Sequence, residues 1–224
     1  VIKEGGAKQG SFFVSEILMN MKFDLPEPCP EEHYWMNADP DEMWVMDKLI
    51  LSRKLNYICG PVGQRVPKPD WYIVRPCVNA VGLGMGAKKV WIENTTDNMP
   101  VGHFWSEFFE GEHLSVDYVY GKQTLCVRGF KKENTMTRWD RWIKTDNHIP
   151  FPSILNQFSN KEIINCEFIG GKLIEVHFRR NVDFDNGIKE FIPVWEGQNK
   201  VPPMGYKFID SKEELNGRIG AFVR

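Results

Sequence analysis

In the stretch GGKLIEVHFRR, residues 170 to 180, an acid, an imidazole and a guanidinium fall at every second position as Glu175, His177 and Arg179. Side chains on a β-strand alternate between faces, so these three share one face. Ile174, Val176 and Phe178 on the other face read as core. Just upstream, NCEF carries Glu167 on a strand that a Gly170-Gly171 turn joins to this one. If the strands pair in register, Glu167, Glu175 and His177 converge on one sheet face. Two carboxylates held together raise one another's pKa unless a cation neutralises them. With oxygen donors dominating, Mg²⁺ bridging nucleotide phosphates fits this set better than a closed zinc site. A second arrangement stays open: a solvated face on which the acids pair with Arg179 and Arg180.

Three further segments carry chemistry-bearing residues. WYIVRP ends on Arg75, a planar and permanently charged donor suited to phosphate, and Gly82, Gly84 and Gly86 follow in GLGMGA. These glycines fall between two strands rather than before a helix, and the loop lacks the Lys-Ser/Thr of a Walker motif. A strand–loop–strand hairpin of this kind can cover a nucleotide as a lid, its N–H groups donating to phosphate. The alternative is an ordinary hairpin beside a surface arginine. In FWSEFFEGEHLSVDYV, Glu107, Phe108 and Phe109 suit a linker strand passing an adenine ring, although local pattern favours a core strand with acidic turn residues. TRWDRWIK, residues 137 to 144, interleaves basic and aromatic residues as single-strand nucleic-acid binders do. The near-neutral chain argues against that use. A loop closing over a site, with Arg138 and Arg141 near phosphate or carboxylate, is the favoured reading.

The elements that must position these residues read as follows. Prolines in FDLPEPCPEEHYW forbid a regular helix there and predict an extended arm. Residues 39 to 55 predict a helix, capped by Asp39 or Asp41, with Arg53 and Lys54 in its last turn. WYIVRPCV, KKVWIE, HFWSEFF and LSVDYVYGKQTLCVRGFK predict strands, the last a hairpin turning at Tyr120-Gly121. ENTMTRWDRWIKTDNHIPFP reads as loop, SILNQFSNKE as a short helix, and IINCEFIGGKLIEVHFRR as a second hairpin. The tail from IPVW onward predicts one short strand, a helix near 211 to 217 and a last strand. Together these predict an α+β protein of two small, mostly antiparallel lobes with few helices and a cleft between them. The expected division is an N-terminal arm over 1–46, a small lobe with the Gly-rich lid over 47–102, and a larger lobe over 103–224.

Composition bounds the functional classes. The 224 residues carry a net charge of −2 and 26% charged residues, so the chain as a whole has no electrostatic footprint for nucleic acid or an anionic membrane. No apolar run is long enough to span a bilayer, and VIKEGGAKQG lacks the apolar core of a signal peptide. The five cysteines are scattered without zinc spacing, which predicts free thiols in a reducing, cytoplasmic setting.

The order of the segments resembles the ATP-grasp superfamily: strand–Arg–Gly loop, then SEFFEGEHLSVD, then NCEFIGGKLIEVHFR. The Arg-Pro string is similar to that of the carbamoyl-phosphate synthase large subunit, and DKLILSRKL…GPVGQRVP resembles the helix and turn that precede it. The resemblance covers roughly residues 47 to 180. It implies an ATP-dependent ligase that activates a carboxylate as an acyl phosphate for attack by an amine or similar nucleophile. The implied cofactors are ATP and Mg²⁺ or Mn²⁺. The implied substrate is a small-molecule or peptide carboxylate, with a protein partner as one way to complete the acceptor site. On this resemblance Arg75 and Arg179 are catalytic. Arg75, Gly82, Gly84, Gly86, Glu107, Phe108, Phe109 and His113 hold the nucleotide, and Glu167, Glu175 and His177 hold the metal. His177 stands where the family has Asn, and His113 where it has a ribose-binding Glu. These departures also allow a catalytically degenerate relative acting as a binding or structural protein.

Overall fold

Among the described residues the chain forms twelve strands, and every pairing between them is antiparallel. The computed structural model describes residues 39–78, 84, 86–131, 136–184, 187–211 and 217–224. The strands are β1 (Cys59–Pro61), β2 (Asp70–Pro76), β3 (Lys88–Ile92), β4 (His103–Glu107), β5 (His113–Val119) and β6 (Lys122–Phe130). They continue as β7 (Arg141–Lys144), β8 (Ile164–Ile169), β9 (Lys172–His177), β10 (Glu190–Trp195), β11 (Lys207–Ile209) and β12 (Arg218–Val223). A four-stranded sheet has the order β1-β4-β2-β3, and an eight-stranded sheet the order β11-β12-β10-β7-β6-β5-β8-β9. The protein is therefore α+β, with two mostly antiparallel sheets and few helices. β4 pairs with β1 and β2, and β5 with β6 and β8, so residues 108–112 link the two sheets.

Each sheet has its own core. Leu114, Val116 and Tyr118 of β5, Ile164, Cys166 and Phe168 of β8, and Leu173 and Val176 of β9 pack with Leu51, Leu155 and Phe158 from the helical segments. The smaller sheet buries Tyr72, Val74, Ile92 and Trp105. A third cluster, Val127, Phe191, Ala221 and Val223, joins the C-terminal strands to β6. Two tight turns keep their expected positions: Tyr120 and Gly121 have φ of 48° and 71°, and Gly170 and Gly171 have 55° and 77°. Left-handed backbone at both central residues matches the right-handed twist of the flanking strands.

Four expectations are corrected. The helix expected over 39 to 55 is only Lys48–Lys54 (α1), because the Asp47 side chain accepts the Ile50 N–H and caps it there. Upstream, Met43–Val45 is a 3₁₀ turn, and Asp39 accepts the Asp41 N–H instead of capping the helix. The expected loop over TRWDRWIK contains β7, which fills the gap between β6 and β10. Sheet pairing on both sides overrides the weak local pattern. The tail holds two strands, β10 and β11, where one short strand before the last is expected, while the short helix expected at SILNQF forms as a 3₁₀ helix, Ser153–Phe158. In the β8–β9 hairpin, Glu167 pairs with Glu175 but Phe168 pairs with Leu173, so Ile174 is an extra, bulged residue. The bulge switches the alternation: Leu173 joins the core cluster of Val176 and Phe178, while Ile174 is buried as expected but outside that cluster. The Gly82 lid position and the tail helix, apart from its ends, lie outside the described residues.

Candidate functional site

The hairpin register puts Glu167 directly opposite Glu175, and Asn165 opposite His177. β5 adds His113, Ser115 and Asp117 to the same polar face, since Leu114, Val116 and Tyr118 face the core. His113 Nε2 lies 2.9 Å from Glu167 Oε2, and His177 Nε2 lies 3.5 Å from Glu175 Oε1 and 4.0 Å from Glu167 Oε1. Lys48 Nζ, at the start of α1, lies 3.3 Å from Glu175 Oε1, with its side chain only 5% exposed. The Lys48 N–H donates to the carbonyl of Cys77 at 2.8 Å, which ties α1 to the end of β2 beside Arg75.

Arg75 joins this cluster from the other sheet. It is buried, and its Nη2 donates to the carbonyl of Ile174 at 3.1 Å. Ile174 is the bulged residue, whose main chain the hairpin ladder leaves over. The bulge thus supplies an acceptor to a guanidinium arriving from β2. Burial disfavours the charged form of Arg75, and Glu175 and Glu167 oppose that effect. The Arg75 Nε is buried with no hydrogen-bond partner among the described residues. For Glu167, burial works against ionisation, but the His113 hydrogen bond and the charges of His113, His177 and Arg179 outweigh it and hold the carboxyl at about 2. Arg179 itself donates to the carbonyl of Arg180 at 3.0 Å.

The structure therefore gathers Arg75, Glu167, Glu175, His177 and His113 as the sequence suggests, and it adds Lys48. It does not arrange Glu167, Glu175 and His177 as a metal set. Among the described residues no group of three or more His, Cys, Asp or Glu is placed to hold a metal ion. Each carboxylate is answered by a side chain of the protein, Glu167 by His113 and Glu175 by Lys48. His177 Nε2 lies within 4.0 Å of both carboxylates, so the donors expected for Mg²⁺ or Mn²⁺ are drawn together but are held by partners within the protein.

Next to this cluster a cleft of about 1300 Å³ opens between the sheets. Its walls are β3, the Phe108–Glu112 linker, the start of β5 with His113, the end of β6, and the 136–139 segment. Phe108 and Phe109 line it; Phe109 packs edge-on against Tyr57 at 4.8 Å, and Lys89 Nζ sits 4.0 Å from the Phe108 ring centre. Glu107 lines a smaller adjoining opening with Phe108 and Lys89, and its Oε1 accepts the Ile58 N–H at 3.0 Å. Gly84 lies beside the Met136 carbonyl, and Gly86 packs against Pro76, so the described part of the Gly loop borders the same opening. Gly111 and Gly170 hold the linker against the β8–β9 turn: a Cβ on Gly111 would come within 2.8 Å of the Gly170 Cα. Five basic side chains line the cleft, Lys88, Lys89, Arg128, Lys131 and Arg138, against two acids, Glu110 and Glu112.

Sequence reasoning missed Lys48, Lys89, Lys131 and a polar network beside the cluster. Asp117 is buried and raised in pKa by burial; it accepts from Asn165 Nδ2 at 2.8 Å and from the Asn181 N–H at 3.0 Å. Asp117 was legible from the alternation that places it with His113 and Ser115. Lys48 had a subtler signal, as a cation in the first turn of a helix, where the macrodipole disfavours it.

No family model matches the chain, and no curated protein matches it. Solved structures do resemble it. The ATP-grasp ligase PsnB complexed with its minimal precursor is 11% identical, covers 62% of this chain and 52% of its own, and gives a TM-score of 0.40. D-alanine–D-alanine ligase from Bacillus anthracis is 15% identical, with coverage of 61% and 57% and a TM-score of 0.35. L-amino acid ligase from Bacillus licheniformis is 10% identical, with coverage of 62% and 41% and a TM-score of 0.37. The chain spans about half the length of these structures. No helix among the described residues is long and apolar enough to cross a membrane.

Proposed function

We propose that the chain binds a nucleotide such as ATP in the cleft between its two sheets and is an ATP-grasp-like, ATP-dependent ligase. One observation carries this reading. The cleft is lined jointly by both sheets, by Phe108 and Phe109 of the linker between them, and by five cations against two acids. Apolar rings suit a base, and an excess of cations suits its phosphates. In such chemistry a carboxylate attacks the terminal phosphate, the bond from that phosphorus to the bridging oxygen breaks, and ADP leaves. An amine then captures the acyl phosphate and releases phosphate. The residues here would contribute positioning and charge stabilisation. A small-molecule or peptide carboxylate is the substrate class, and a protein partner is one means of completing the acceptor site.

A second reading, a degenerate relative that binds without catalysis, is favoured by the Lys48–Glu175 ion pair, which occupies an expected metal ligand. Calorimetry with ATP, followed by assay of ADP release on candidate acids, separates the two. Binding with release supports the ligase, and binding without release on any acid supports the second reading. No binding of ATP, with or without Mg²⁺, rejects the ligase and leaves a degenerate relative with a binding or structural role.

A further inference from the structure

Resting on the proposed nucleotide reading, we infer that Lys89 and Lys131, one from each sheet, form a clamp for an oligophosphate across the cleft. The assignment starts from which cations already have partners. Arg75 is buried against the Ile174 carbonyl in the field of Glu175 and Glu167. Arg128 Nη1 lies 2.6 Å from Glu112 Oε1. Lys89 and Lys131 differ. Lys89 Nζ rests 4.0 Å from the Phe108 ring centre and 5.5 Å from that of Trp71. Lys131 Nζ rests 5.2 Å from the Trp139 ring centre. Neither has a carboxylate partner among the described residues. A ring face orients an ammonium group without cancelling its charge. Both lysines line the same cleft, Lys89 from β3 of the smaller sheet and Lys131 just after β6 of the larger one.

The charge of Lys131 is also poorly solvated, since burial alone lowers its pKa and no neighbouring anion offsets that effect. A bound anion would supply the missing counter-charge. Two cations, one from each sheet, line the same cleft, and an anion whose charge is spread along a chain can answer both at once. A chain of phosphates meets that requirement, either as the tail of a nucleotide or as free oligophosphate. The clamp thereby moves the phosphate contact from Arg75, where the motif order puts it, to lysines that the motifs do not mark.

The test uses the full chain with ATP, adenosine and inorganic tripolyphosphate as probes, in calorimetric titrations at low salt. Lys89→Met and Lys131→Met should each weaken ATP and tripolyphosphate about tenfold, the loss expected for a charge-assisted contact, and leave adenosine unchanged. Lys89→Arg and Lys131→Arg should retain most of the affinity, and thermal melts of all four variants confirm that they fold. Unchanged ATP and tripolyphosphate affinity in both methionine variants overturns the clamp while leaving the nucleotide reading standing. Lysine-dependent binding of tripolyphosphate without any binding of ATP keeps the clamp and removes the nucleotide reading. If wild type binds neither, both fall.

Discussion

Two neighbouring charged regions of this protein are solved in opposite ways. At the meeting of β2, β5, β8, β9 and α1, acids and bases answer one another: Glu175 faces Lys48, Glu167 faces His113, and Arg75 faces the Ile174 carbonyl. In the adjoining cleft, Lys89 and Lys131 lean on aromatic rings with no carboxylate among the described residues. Of these contacts, the Arg75 hydrogen bond ties one sheet to the other, and the two ion pairs tie α1 and β5 to the β8–β9 hairpin. Cations of the second kind leave electrostatic work for a ligand to complete. The contrast separates residues that hold the site's shape from residues that meet what enters it.

The largest effect should come from breaking the buried pair. Lys48→Met removes the lysine partner of Glu175 and should cost about 3 kcal/mol of stability by urea denaturation, as one-sided loss of a buried pair does. Pairing it with Glu175→Leu should cost clearly less than the sum of the two single changes; strict additivity would show that the two do not interact. Arg75→Ala comes next, at about 1.5–3 kcal/mol for a lost charge-assisted hydrogen bond, read as a lower urea midpoint. A variant as stable as wild type would mean that Arg75 does not strap the sheets.

Acid should act on the satisfied cluster first. The Glu167 carboxyl is held at about 2 in the folded protein, below its ordinary 4.5. A depressed carboxylate pKa stabilises the fold above the unfolded value, and that contribution is lost as pH falls through the folded value. Wild type should therefore lose stability between about pH 4.5 and 2, and His113→Phe should flatten this slope; identical slopes would reject the His113–Glu167 link. The smallest effect belongs to the cleft: Lys131→Met should leave the melting temperature unchanged or slightly raised. Its charge is disfavoured by burial and has no described counter-ion, so a marked loss of stability would place Lys131 among the structural residues.

The polar stripe was legible because strand alternation is rigid. Once NCEF and IEVH are strands around a Gly-Gly turn, Glu167, Glu175 and His177 must share a face, and they do. The linker was legible for a similar reason, as Phe108 and Phe109 fall between two strands that belong to different sheets. The interior bulge was not legible. A strand that shifts register by one residue reverses its faces, and nothing in KLIE announces that Ile174 will be the residue left over. β7 was missed because RWIK is too short to declare itself without β6 and β10 on either side.

By itself the sequence determined which residues alternate, where the chain turns and the order of its motifs, because these depend on local backbone geometry. Only the tertiary structure decided who answers whose charge. Lys48 reaches Glu175 across more than a hundred residues of chain, and Arg75 reaches Ile174 between two sheets. Electrostatic partnership depends on distance in space, which strand pairing and sheet packing set. The same acids that read as a metal site along the chain are, in the fold, largely neutralised from within.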